Sequence, residues 1–85
     1  MKTFQYTITD REGIHARPAG LLVKQANKFQ SNITLQKDGQ TADAKRIFAV
    51  MGLAAKQGQV VTVTAEGPDE EAAAQAIEKC LKANL

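Results

Sequence analysis

The apolar residues of this chain recur with two different periods, and the alternation between these periods constrains the fold more than any other feature. They occupy every second position in residues 3–9, 32–37 and 60–66, which predicts three half-buried β-strands. Asp38-Gly39 directly follows the second of these segments and is typical of a hairpin turn. A short fourth strand at residues 40–43 is therefore expected to pair back onto the second strand.

Three further segments carry apolar residues at three- and four-residue intervals, which is typical of amphipathic helices. They lie at residues 16–29, at residues 46–54, and after Gly67-Pro68-Asp69, where Asp69 and the two following glutamates suit a helix N-terminus. The predicted inner faces carry Ala19, Leu22, Val23, Ala26 and Phe29; Ile47, Val50, Met51 and Ala54; and Ala73, Ile77, Cys80, Leu81 and Asn84. Three helices can cover one face of a four-stranded sheet, so we predict a two-layer α+β domain whose other face meets water.

A chain of 85 residues suffices for one small domain, and we expect residues 1–85 to form a single one. Hydrophobic residues make up 44% of it, too many for a disordered segment, yet no run approaches the length of a membrane span. The N-terminus lacks a signal-peptide core and the one cysteine has no partner, which favours a reducing cytoplasm. A net charge of +2 and few aromatic residues argue against nucleic-acid binding.

The only histidine lies in the segment 13–19, Gly-Ile-His-Ala-Arg-Pro-Ala, at the predicted start of the first helix. His15 supplies a nitrogen nucleophile, because the unperturbed pKa of an imidazole lies nearest neutral pH. Arg17 supplies a fixed cation that binds phosphoryl oxygens bidentately, and Pro18 suits the first turn of a helix. The free N–H groups of that turn favour an anion, so the segment points to phosphoryl transfer.

The same spacing is also compatible with a surface or capping histidine that has no chemical role. The spacing alone does not distinguish this interpretation from phosphoryl transfer. One histidine and one cysteine, 65 positions apart, provide no ligand spacing for a metal ion. No glycine-rich loop of the Walker type is present, so a bound nucleotide is not expected. The remaining candidate chemistry is covalent and centred on His15.

Three segments, 13–19, 44–53 and 65–70, together resemble HPr, the histidine-containing phosphocarrier family of the bacterial phosphoenolpyruvate–sugar phosphotransferase system. The resemblance spans nearly the whole chain and implies an open-faced β-sandwich, a four-stranded antiparallel sheet covered on one face by three helices. It implies that His15 accepts a phosphoryl group on Nδ1 from enzyme I and passes it to the A domain of a sugar-specific enzyme II. Arg17 would stabilise that group at the helix N-terminus formed by Ala16, Arg17 and Pro18.

The resemblance further implies a relay protein rather than an enzyme, without a metal or organic cofactor. A small soluble carrier is expected to be monomeric, and no membrane insertion is expected. A docking surface for its partners is expected beside His15. Its predicted members are Gly20, Leu21, Lys24, Arg46, Ile47, Phe48, Met51 and Gly52. For Met51 a core position is an equal alternative. A family-like regulatory module that docks to transcriptional or metabolic partners is the alternative function, although retention of His15 and Arg17 argues against it.

Position 46 departs from many relatives of Gram-positive bacteria, which carry there a serine that a kinase phosphorylates. This chain has Arg46, and its only serine is Ser31, so regulation through a serine at position 46 cannot operate. Serine is a good helix N-cap and arginine is not, which predicts a local loss of about 1 kcal/mol. The hydrophobic residues of the second segment weakly favour the sugar branch over the nitrogen-related branch of the system.

Overall fold

A computed structural model describes all residues from 1 to 85 and contains four strands and three helices. In chain order these are β1 (Lys2–Thr7), α1 (Ala16–Ala26), β2 (Asn32–Lys37), β3 (Gln40–Asp43), α2 (Ile47–Gly52), β4 (Val60–Glu66) and α3 (Glu70–Asn84). The strands form one antiparallel sheet in the order β1-β4-β2-β3. The predicted α+β class, the element order and the four-stranded open sheet are confirmed.

One face of the sheet packs against the helices because each strand alternates buried and accessible positions. Leu35 of β2 and Phe4 of β1 both lie opposite Val63 of β4, so three strands contribute to one apolar layer. Leu22 of α1 and Ile77 of α3 are fully buried against this layer. The other face carries threonine and glutamine side chains, as the alternation predicts, and no helix of the chain combines the length and the apolar character needed to cross a bilayer.

The first helix ends at Ala26, three residues earlier than predicted, where Lys28 and Phe29 donate their backbone N–H groups to Gln25 O and Ala26 O in tighter turns. Asn27 donates its side-chain N–H to Val23 O at 2.9 Å and to Lys45 O at 3.3 Å. Lys45 Nζ in turn donates to Phe29 O at 2.8 Å. These bonds join the end of α1 to the segment that enters α2, so the two helices keep a fixed relative position.

Of two residues predicted to face the core at the ends of α2 and α3, one lies elsewhere. Ala54 is exposed beyond the end of α2, with a left-handed φ of +52°. Cys80 is half-buried and lines a groove between α1 and α3, where burial raises the pKa of its thiol. Ala54 keeps helical spacing in the sequence but no neighbouring element covers it, whereas Cys80 packs against the core as predicted.

A polar contact fixes the loop that leads into α3. Asp69 precedes this helix, but its carboxylate accepts hydrogen bonds from the backbone N–H groups of Gln30 and Ser31, each at 2.9 Å, and from Ser31 Oγ. The Ser31 hydroxyl, followed by the Gln30 amide, lowers the pKa of Asp69 from its ordinary 3.8. The predicted interaction of Asp69 with the helix end is thus replaced by a bond to the loop between α1 and β2.

Candidate functional site

His15 lies immediately before α1, where it occupies the N-cap position. Its backbone is extended, with φ −108° and ψ −174°, and its carbonyl accepts the Ala19 N–H at 3.0 Å. Its side chain makes no capping hydrogen bond and remains 37% exposed. The ring is therefore open to solvent while its backbone is held by the helix.

The backbone before His15 is fixed by close packing against the loop that follows α2. Gly13 has φ +69°, and a Cβ atom there would lie 2.1 Å from Ala55 O. Ile14 is buried and donates its backbone N–H to the same carbonyl oxygen at 2.9 Å. Only glycine fits this close approach with a left-handed φ, so Gly13 sets the path of the chain into the helix.

The start of α1 offers donors and a cation next to the histidine ring. The backbone N–H groups of Ala16 and Arg17 have no hydrogen-bond partner within the protein, as is usual for the first turn of a helix. Pro18 has no N–H group and is buried, and the Arg17 side chain is exposed and makes no ion pair. An anion bound here would meet two free amides and one free guanidinium group.

A shallow depression of about 240 Å³ brings the site together from three parts of the chain. Asp10, His15, Arg17, Pro18 and Leu21 line one part of it, and Ala83 and Asn84 from the end of α3 line the other. The sequence patterns place neither Asp10 nor the end of α3 near His15. The contact of α3 with α1 is long-range, so sequence spacing gave no signal for it.

Two carboxylates also approach the histidine ring. Glu12 Oε2 lies 3.4 Å and Asp10 Oδ1 lies 3.9 Å from His15 Nε2. The sequence patterns single out neither residue, although Glu12 and His15 are three positions apart and that spacing is the available signal. No group of three or more metal-ligating side chains in the chain has a geometry suited to a metal ion.

The predicted docking residues fall on two neighbouring helices. Phe48 of α2 is 84% exposed and Leu21 of α1 is 39% exposed, which is unusual for large apolar side chains. Lys24, Arg46 and Gly52 are exposed as well, whereas Gly20 and Ile47 are half-buried, each close to the other. Met51 is half-buried and packs against the core, so its position fits the core alternative.

A family model described as "PTS HPr component phosphorylation site" matches residues 2–83. The chain belongs to the HPr family. The phosphocarrier protein HPr of Lysinibacillus sphaericus is 48% identical to it over 77 residues, which are 91% of this chain and 88% of the relative. HPr-C-His from Thermoanaerobacter tengcongensis matches it structurally with a TM-score of 0.93 and 42% identity, covering 98% of this chain and 93% of that chain. An HPr dimer from the same organism gives a TM-score of 0.78 at 42% identity, and the match covers 98% of this chain and 95% of that chain.

Membership confirms the resemblance that the sequence segments indicate. HPr proteins carry phosphate in a phosphotransferase system, and the family implies a link to sugar transport. The chain therefore has the role of a phosphocarrier, a relay protein rather than an enzyme. What remains is to assign the atoms that carry the phosphoryl group and the surfaces that meet the partners.

Proposed function

We propose that His15 accepts a phosphoryl group on Nδ1 from enzyme I, which phosphoenolpyruvate has charged, and passes it to the A domain of a sugar-specific enzyme II. The observation that carries this proposal is the position of the half-exposed ring at the N-cap of α1. A phosphoryl group on the ring would face the free N–H groups of Ala16 and Arg17 and the positive end of the helix dipole. Arg17 would bind phosphoryl oxygens with its guanidinium group.

The docking surface for both partners is proposed to consist of the exposed side chains beside His15 on α1 and α2. Phe48 and Leu21 provide apolar contact, and Lys24 and Arg46 provide positive charge at its edge. A small apolar patch with a charged rim suits partners that bind and leave quickly. Positive charge would also speed the encounter with acidic partner surfaces.

We further propose that residues 1–85 act as one domain, as a monomer in the cytoplasm, without contact to nucleic acid or insertion into a membrane. One partner at a time would occupy the docking surface. Sedimentation equilibrium at micromolar concentration measures the oligomeric state directly, and a dimer mass would contradict the monomer.

The test is incubation of the chain with enzyme I, magnesium and phosphoenolpyruvate labelled in its phosphoryl group. We expect an acid-labile, base-stable label that is absent from His15→Ala and much reduced in Arg17→Ala, while circular dichroism shows that both variants fold. Phosphorus–nitrogen NMR couplings in the labelled protein identify Nδ1 as the bonded atom. Absence of label from the wild-type chain with a competent enzyme I would contradict the carrier assignment and favour a regulatory module.

Phe48→Ala tests the docking surface separately from the reacting atoms. Because Phe48 is exposed, the substitution should leave stability unchanged and raise the KM of enzyme I for the chain. Val60→Ala is a matched control, since Val60 is another exposed apolar residue and lies on β4 instead of the two docking helices. Equal KM values for wild type and Phe48→Ala would remove Phe48 from the surface.

A further inference from the structure

We propose that Glu12, together with Asp10, selects the tautomer of His15 that leaves the Nδ1 lone pair free, a positioning role that rests on the proposed function of that nitrogen. Both carboxylates approach the same ring atom, at 3.4 Å for Glu12 and 3.9 Å for Asp10, and that atom is Nε2. The nitrogen proposed to react is therefore the one that the carboxylates do not approach within this distance.

The turn that precedes His15 holds the Asp10 carboxylate and the backbone of Glu12 in place. Asp10 Oδ1 accepts the backbone N–H of Glu12 at 2.8 Å, and Asp10 O accepts the backbone N–H of Gly13 at 3.1 Å. Glu12 thus stands three residues before His15 on a fixed turn. Neither carboxylate forms an ion pair with a lysine or arginine, so no paired cation offsets the negative charge beside the ring.

A neutral imidazole carries a hydrogen on one nitrogen and a lone pair on the other. An ionised carboxylate only accepts hydrogen bonds, so it attracts a ring N–H and repels a ring lone pair. Two carboxylates beside Nε2 of His15 therefore favour the hydrogen on Nε2 and the lone pair on Nδ1. In hydrolases with a catalytic triad, a carboxylate fixes the histidine tautomer by the same interaction.

The same arrangement serves both phosphoryl transfers. When Nδ1 attacks phosphorus, its lone pair forms the N–P bond, and the bond from phosphorus to the donor breaks with its electron pair leaving on the donor. Nε2 keeps its hydrogen, the ring becomes positively charged, and Glu12 balances that charge. In the second transfer the acceptor's nucleophile forms a bond to phosphorus as the N–P bond breaks. The electron pair of that bond returns to Nδ1, and His15 leaves as neutral imidazole without a proton transfer.

The test compares the wild-type chain with Glu12→Gln and with the double variant Asp10→Asn, Glu12→Gln. Long-range proton–nitrogen NMR reads the tautomer without ambiguity, because His15 is the only histidine. The tautomer ratio is read at alkaline pH, on the plateau where the ring nitrogen shifts no longer change with pH. We expect the ratio of Nδ1–H to Nε2–H tautomer to rise about two- to fivefold in Glu12→Gln, as suits a surface contact, and further in the double variant.

Glu66→Gln is the matched control, since Glu66 is exposed and lies at the opposite end of β4 from the turn that leads to His15. It should keep the wild-type ratio. An unchanged ratio in the folded double variant would overturn the tautomer assignment, even if wild-type His15 takes up label. If the ratio shifts but the wild-type chain takes no label, the proposed function fails and the tautomer assignment stands, because the ratio is read on unphosphorylated protein.

Discussion

Replacement of Ala54 by glycine should stabilise the protein, although it removes a methyl group. Ala54 has φ +52°, a conformation that costs an L-residue about 1–2 kcal/mol. The residue is exposed, so loss of its methyl group gives up little buried area. Glycine also gives the unfolded chain more freedom, which offsets about 0.4–1 kcal/mol of the gain. The net expected effect is a free energy of unfolding about 0.5–1 kcal/mol larger, and a Tm raised by about 4 °C.

Urea unfolding followed by far-UV circular dichroism measures this difference, provided that both proteins give the same m value. The reciprocal variant Gly39→Ala is the control. Gly39 has φ +80°, and an added Cβ would meet no heavy atom within 4 Å, so any loss there is conformational. We expect this variant to lose about 1 kcal/mol. If Ala54→Gly is neutral or destabilising while Gly39→Ala behaves as expected, the backbone-strain argument for Ala54 is wrong.

Three other substitutions test features of the fold. Arg46→Ser should raise the Tm slightly, because serine caps α2 and Arg46 makes no capping bond; an unchanged or lower Tm in thermal melts would count against the capping argument. Gly13→Ala should lower the free energy of unfolding by roughly 3 kcal/mol, because its methyl group meets Ala55 O; an unshifted urea midpoint would refute the close approach. Because the pKa of Asp69 is lowered in the folded state, its stabilising effect is complete above the ordinary value of 3.8 and is lost as the pH falls through the lowered value. The stability difference between wild type and Asp69→Asn, measured by urea unfolding across that range, should therefore shrink on acidification, and a constant difference would contradict the linkage with the Ser31 hydroxyl.

Local patterns predicted the sheet because strand alternation directly reports which face is buried. Ile33 and Leu35 of β2, and Val61 and Val63 of β4, all face the core as the sequence indicates. The helix ends were less predictable, since they depend on contacts between distant residues. Asn27, directly after α1, bonds to a carbonyl 18 positions away, and no local pattern encodes that bond.

The candidate site, like the fold, depends partly on local sequence and partly on contacts between residues that are distant in the sequence. The position of His15 at the start of α1 follows from local sequence, because Pro18 and the apolar period together mark the beginning of a helix. The depression around it also requires Ala83 and Asn84, which only the packing of α3 against α1 brings there. The carboxylate of Glu12 reaches the ring because a turn of defined shape precedes it, and that shape depends on Gly13 and its contact with Ala55 O.

With the proposed docking role of Leu21, the placement of His15 and Leu21 along α1 would limit how many proteins the chain can serve at once. They lie six positions apart, a rise of about 9 Å, so a protein that contacts Leu21 would also shield the ring. A donor and an acceptor would then exclude each other, and every phosphoryl group would have to travel with a free, diffusing carrier. Flux through such a system would scale with the number of carriers that are unbound at any moment, and an excess of either partner would slow it.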